Sequence, residues 1–116
     1  MSNTASAPQA SGPIDFGHLD TYTDGDDALT REVLSLFKVQ GIVLLQMLEE
    51  LPDARTWRET AHALKGAARG IGAWRVAELA QDVEAMALAA SDQRNDALRP
   101  LAAAFAEAAH AIDARP

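Results

Sequence analysis

The sequence contains no cysteine, which excludes a disulfide framework, a thiolate metal site and a thiol nucleophile. Aromatic residues make up only 5% of the 116 residues and β-branched residues are scarce, so a sheet would lack the residues that strands prefer. No apolar run approaches the roughly 20 residues that a membrane span needs. The N-terminus also lacks the basic-then-apolar layout of a secretion signal. We therefore expect one cytoplasmic domain that makes no contact with a membrane.

Positive charge is scarce as well, since 10 Lys and Arg residues stand against 17 Asp and Glu residues for a net charge of −7. This balance argues against a nucleic-acid-binding protein, whose affinity depends on neutralising phosphates. The cations are unevenly distributed, because five of the ten lie within residues 54–75 beside a single acidic residue, Glu59. One basic segment therefore stands out in an acidic protein.

The residues that are present favour helices. Apolar residues make up 48% of the chain, and the frequent alanines suit close-packed helices. Residues 1–13 are small and polar, which predicts a flexible N-terminal tail ahead of a single domain over residues 14–116. The apolar spacing predicts helices over about 26–51, 54–71, 73–90 and 97–114.

The predicted fold is therefore all-α, an antiparallel four-helix bundle of amphipathic helices with short links. A short additional N-terminal helix packs on the core through the apolar residues Ile14, Phe16, Leu19 and Tyr22. We expect residues 91–96 to form a polar connection and Gly41 to bend or break the first long helix. The buried side of that long helix is predicted at Leu29, Val33, Leu36, Phe37, Leu44, Leu45 and Leu48.

The third segment carries the chemistry-bearing residues. Its apolar seam is predicted at Trp57, Ala61, Leu64, Ala68 and Ile71, at steps of four and three. Helical spacing then places His62 on the opposite, solvated face, in a basic stripe formed by Arg55, Arg58, Lys65 and Arg69. Nearby positive charge favours the neutral imidazole, which is a nucleophile, and can hold a phosphoryl group during transfer.

Gly66 is the second indication on this helix. A glycine in a helix interior costs roughly 1 kcal/mol relative to alanine, so helix stability does not account for it. Its position one turn after His62 removes side-chain bulk where a partner has to approach the ring.

The segment HALKGAARGIG over residues 62–72 resembles the motif of histidine phosphotransfer (HPt) domains, which reads His-x-Leu-Lys-Gly-small-small followed by an apolar residue and Gly. The similarity extends over roughly residues 15–88, including the acid-rich turn before the long helix and Phe37 within it. The resemblance implies a four-helix bundle that exposes His62 in the middle of a helix. It also implies two partners, a response-regulator receiver domain whose aspartate exchanges phosphoryl with His62 and a hybrid sensor kinase.

The resemblance also implies roles for individual residues. Lys65 would assist the phosphoryl group, with Arg69 as a second cation, and Gly66 would leave access for the partner. Glu84 falls where the family often places a Gln or Glu that orients the imidazole, and Gln81, one turn earlier, is the competing candidate. Docking is expected to use an apolar patch beside the basic stripe, with Arg55 and Arg58 on the docking surface.

A second hypothesis is a helical docking module that binds a receiver or kinase without carrying phosphate. The nucleophile at the centre of the patch favours the phosphocarrier, since docking alone gains nothing from it. No Gly-rich nucleotide loop is present, so we expect no autonomous kinase activity and no cofactor. The spacing of the three histidines supports no metal site, and we expect a monomer.

Overall fold

The computed structural model describes residues 12–115 and folds them into helices, with no strand in that range. The helices are α1 (Phe16–Thr23), α2 (Asp27–Glu49), α3 (Ala54–Ile71), α4 (Trp74–Glu84) and α5 (Ser91–Asp113). Helices α2 to α5 are joined by short links and each packs on two neighbours, while α1 packs across α2 and α3. The prediction of an all-α four-helix bundle with an additional N-terminal helix is confirmed. The predicted tail lies outside the described residues, apart from Gly12 and Pro13.

Within residues 12–115, none of the helices combines the length and the apolar character needed to cross a bilayer.

The helix starts are local features that the sequence encodes. The side chains of Asp15, Asp26 and Asp53 each accept a hydrogen bond from the backbone N–H three residues later, which caps α1, α2 and α3. Helix α3 ends at Gly72, whose φ of +82° is left-handed. A Cβ on Gly72 would lie 2.8 Å from the backbone oxygen of Asp15, so glycine also permits the close approach of α1 to the end of α3.

Helix α3 presents its apolar seam to the core as predicted. All five seam residues are buried, and Trp57, Ala61, Leu64 and Ala68 are fully so. The Trp57 indole Nε1 donates a 2.6 Å hydrogen bond to the carbonyl of Val83, which ties α3 to the last turn of α4. This seam sets the rotation of α3, and therefore determines which residues face solvent.

Two boundaries near the C-terminus were predicted wrongly. Helix α4 ends at Glu84 instead of continuing to residue 90. Helix α5 begins at Ser91, so residues 91–96 form its first turns and not a connection. These polar residues lie on the exposed first turns, where Asp92 suits the unpaired N–H groups. Pro100 therefore lies well inside α5, where it removes one backbone hydrogen bond.

The buried side of α2 was also predicted in part wrongly. Leu29 and Leu36 are exposed, as is Tyr22 of α1. The bundle covers only one flank of each of these helices, and the apolar residues outnumber the covered positions. Gly41 does not break α2, which continues through it. Gly41 is buried because the ring of Phe105 lies against its backbone, and a Cβ there would overlap that ring.

Replacing Gly41 by alanine is expected to destabilise the protein, although alanine is the better helix former. Overpacking against the Phe105 ring costs about 1–3 kcal/mol, which exceeds the gain of about 1 kcal/mol in helix propensity. Gly70→Ala is the matched control, because a Cβ on Gly70 has no atom within 4 Å. Urea titration should show a lower free energy of unfolding for Gly41→Ala and an equal or higher one for Gly70→Ala. Equal stability of both variants would contradict the packing explanation.

Candidate functional site

His62 lies near the middle of the 18-residue helix α3, on the side opposite the buried seam. Its side chain is 69% exposed. The imidazole is therefore open to a macromolecular partner while its backbone is held rigidly by the bundle.

One ring nitrogen of His62 is already occupied. Nδ1 lies 3.2 Å from Oε2 of Glu84, the last residue of α4. A carboxylate can only accept a hydrogen bond, so this contact places the proton on Nδ1 of the neutral ring. Nε2 then keeps its lone pair and is the nitrogen available for nucleophilic attack.

The other oxygen of Glu84 binds Lys65. The ammonium of Lys65 donates a 2.6 Å hydrogen bond to Oε1 of Glu84, and the Lys65 side chain is only 13% exposed. This hydrogen bond holds the pKa of Glu84 below its usual value, against the opposing effect of partial burial. Glu84 is therefore a carboxylate at neutral pH, and it joins Lys65 and His62 across the contact between α3 and α4.

The remaining residues of the basic stripe differ in their contacts. Arg69 donates a 3.1 Å hydrogen bond to the side-chain oxygen of Gln81, so the structure brings Glu84 to the imidazole and Gln81 to Arg69. Arg55 pairs with Glu59 at 3.1 Å. Arg58, one turn before His62, is exposed and has no hydrogen-bond or ion-pair partner within residues 12–115.

Gly66 opens the surface on the other side of His62. It is exposed in the middle of α3, and a Cβ there would meet no atom within 4 Å. Packing among the described residues therefore does not require glycine at this position, in contrast to Gly41.

An apolar surface borders the site on α2, and its residues were not identified from the sequence. Leu36, Val39 and Val43, which we call the α2 strip, are each about half exposed or more. A groove of about 330 Å³ lies beside Ala63, the neighbour of His62, and is lined by Val39, Gln40, Val43, Leu44 and Ala63. A smaller groove of about 200 Å³ continues past Leu36 and Ala67. The only available sequence signal was the excess of apolar residues on α2 over one buried face.

Comparison with known proteins gives one match. The family model of the Hpt domain matches residues 32–115. Neither a search of curated proteins nor a search of solved structures found a match. The family match covers well over half of the chain and includes His62, Lys65, Gly66 and Glu84. The chain therefore belongs to the Hpt domain family, the phosphocarrier modules that take part in histidine phosphotransfer in phosphorelays and have no kinase activity of their own.

Proposed function

We propose that this protein is a phosphorelay intermediate that accepts a phosphoryl group on Nε2 of His62 and exchanges it with the aspartate of a response-regulator receiver domain. The observation that carries the proposal is the exposed imidazole, whose Nδ1 is held by Glu84 and whose Nε2 has no hydrogen-bond partner within residues 12–115. A hybrid sensor kinase is the proposed source of phosphate in the relay.

The stripe cations are proposed to stabilise the phosphoryl group. Lys65 and Arg69 follow His62 by three and seven residues, which places them on the same side of α3. In the transition state, negative charge is spread over the oxygens of the phosphoryl group. A fixed cation nearby therefore lowers the energy of the transition state. Lys65 would not have to leave Glu84 to take this role, because an ammonium has three donor hydrogens.

The receiver is proposed to dock over His62 with two kinds of contact. The α2 strip and the groove beside Ala63 provide the apolar part, and Gly66 provides room for close approach. Arg55 and Arg58 form the cationic edge, which complements the acidic phosphorylation pocket that receiver domains commonly present. Arg58 is best suited to this role, since its charge is not paired within the described residues.

A charge placed in the α2 strip is expected to weaken receiver binding. Val39→Glu buries an unpaired carboxylate in the docked complex and should raise the Kd at least about tenfold. Ile42→Glu is the matched control, because Ile42 is an exposed apolar residue of the same helix that lines neither groove. Titration calorimetry with a receiver domain should show normal binding for the control. Equal affinities of the two variants would place the docking surface elsewhere.

The experiment that tests the proposed function is transfer from a phosphorylated receiver. Candidate receiver domains, labelled on aspartate by a small acyl phosphate, are mixed with this protein and the label is followed. Acid-labile, base-stable phosphate on this chain supports the phosphocarrier. Binding of the receiver without any label on this chain would favour the docking module instead.

A further inference from the structure

We propose that Glu84 keeps the proton on Nδ1 of His62 throughout phosphoryl exchange, so that phosphorylated His62 is held as the phosphoimidazolium from which the phosphoryl group leaves. The inference rests on the proposed function, because it concerns the phosphorylated state of the same histidine. It assigns to Glu84 a role for its charge, in addition to the orienting role that any hydrogen-bond acceptor could perform.

With this geometry, phosphoryl transfer to His62 and from His62 can each occur without a proton transfer. When His62 accepts, the Nε2 lone pair forms the N–P bond, and the electron pair of the breaking P–O bond goes to the receiver aspartate. The ring becomes a cation that still carries the Nδ1 proton against the Glu84 carboxylate at 3.2 Å. When His62 donates, the electron pair of the N–P bond returns to Nε2 and leaves a neutral imidazole. Without the Nδ1 proton the leaving group would be an imidazolate anion, which is a much poorer one.

The charges around the ring show why a carboxylate matters here. Helix α3 contributes cations that disfavour a positively charged ring. Its one acidic residue, Glu59, pairs with Arg55. The cations on that helix are Arg55, Arg58, Lys65 and Arg69. Helix α4 contacts the ring through Glu84, whereas its uncharged Gln81 contacts Arg69. The α2 residues beside Ala63 are all uncharged. Glu84 is therefore the carboxylate that directly opposes the cations at the ring.

Lys65 supports this role. Its hydrogen bond to the second oxygen of Glu84 keeps that group ionised. The carboxylate therefore cannot take up the Nδ1 proton at neutral pH, and the proton stays on the ring. Glu84 is in this sense a positioning residue that acts through His62 and does not itself contact the phosphoryl group.

The test compares the wild-type protein with Glu84→Gln, which keeps an acceptor oxygen and removes the charge. Both full-length proteins, ¹⁵N-labelled at histidine, are phosphorylated with phosphoramidate, and the protonation of Nδ1 is followed by NMR as the pH is raised. The His62→Gln spectrum assigns the signal among the three histidines. We expect the phosphorylated ring to lose its proton about one pH unit lower in Glu84→Gln, since a carboxylate within hydrogen-bonding distance favours the charged ring.

The same variants are compared for transfer to a receiver. Glu84→Gln should transfer nearly as fast as wild type at mildly acidic pH and up to about tenfold more slowly at mildly alkaline pH, in proportion to the loss of the protonated ring. Asp82→Asn is the control, because it removes one exposed carboxylate from the same helix and should leave the pH profile unchanged.

The outcomes separate the two proposals. Failure of both phosphoramidate and phosphorylated receivers to label His62 would overturn the proposed function and this inference with it. Labelling of His62 with the same titration midpoint in wild type and Glu84→Gln would overturn the inference alone. A rate lowered equally at every pH would also overturn it, since that result reports ring orientation and not charge.

Discussion

His62→Gln is expected to abolish the appearance of acid-labile phosphate on this chain while leaving the fold intact. Glutamine has no nucleophilic nitrogen with a free lone pair, so no N–P bond can form. The His62 side chain is 69% exposed, and its hydrogen bond is to Glu84. The amide of a glutamine can donate the same hydrogen bond to Glu84. The free energy of unfolding should therefore change by less than about 0.5 kcal/mol. Label transfer from a receiver and thermal unfolding by circular dichroism measure the two effects.

His110→Gln provides the matched control for this experiment, because His110 is also exposed but lies on α5. It should accept label at the wild-type rate. Persistence of label on His62→Gln at the wild-type level would show that another residue is phosphorylated. A large loss of stability in His62→Gln would show that the histidine supports the fold.

Gly66→Gln is expected to block receiver docking while the free protein becomes no less stable. The site is open, and replacing glycine inside a helix stabilises it by up to about 1 kcal/mol. Helical side chains lean toward the N-terminus, so the new side chain covers the turn that contains His62. Transfer should fall by more than about tenfold, the loss expected when a side chain occupies the centre of an interface. Gly66→Ala should melt higher than wild type and transfer somewhat more slowly.

The control for Gly66→Gln adds the same side chain elsewhere. Ala106 is exposed on α5, and Ala106→Gln should transfer normally. Loss of folding in Gly66→Gln would mean that the glycine serves helix packing, which the open surroundings do not indicate. Normal folding together with normal transfer would show that access to His62 does not depend on this position.

Features that depend on local periodicity and on short motifs could be predicted from the amino-acid sequence. The seam of α3 was predicted because five apolar residues follow the helical repeat without interruption. The starts of α2 and α3 are local features of the same kind, because the side chains of Asp26 and Asp53 cap the first turns of these helices. The exposure of His62 and Gly66 then followed from the seam, because a helix that buries one face must present the other.

Features that involve two helices became visible only in the folded protein. Glu84 and Gln81 are separated by one turn on α4, and the rotation of α4 against α3 places Glu84 at His62 and Gln81 at Arg69. The burial of Lys65 against Glu84 follows from the same contact. Periodicity within one helix does not specify how its neighbour is rotated or shifted along it, so these pairings are not encoded locally.

The same reason accounts for the errors on α2. The sequence of α2 alone predicts that Gly41 breaks the helix. Its actual role is to make room for the ring of Phe105, which lies on α5. The sequence predicts that Leu36 is buried. It is exposed because the packing of α3 on α2 leaves it uncovered. The fold class and the position of His62 on an exposed helix face could be predicted from the sequence, because both follow from apolar repeats within individual helices. Which charges meet at the imidazole and which apolar residues stay exposed could not, because the relative placement of helices depends on side-chain packing over the whole core.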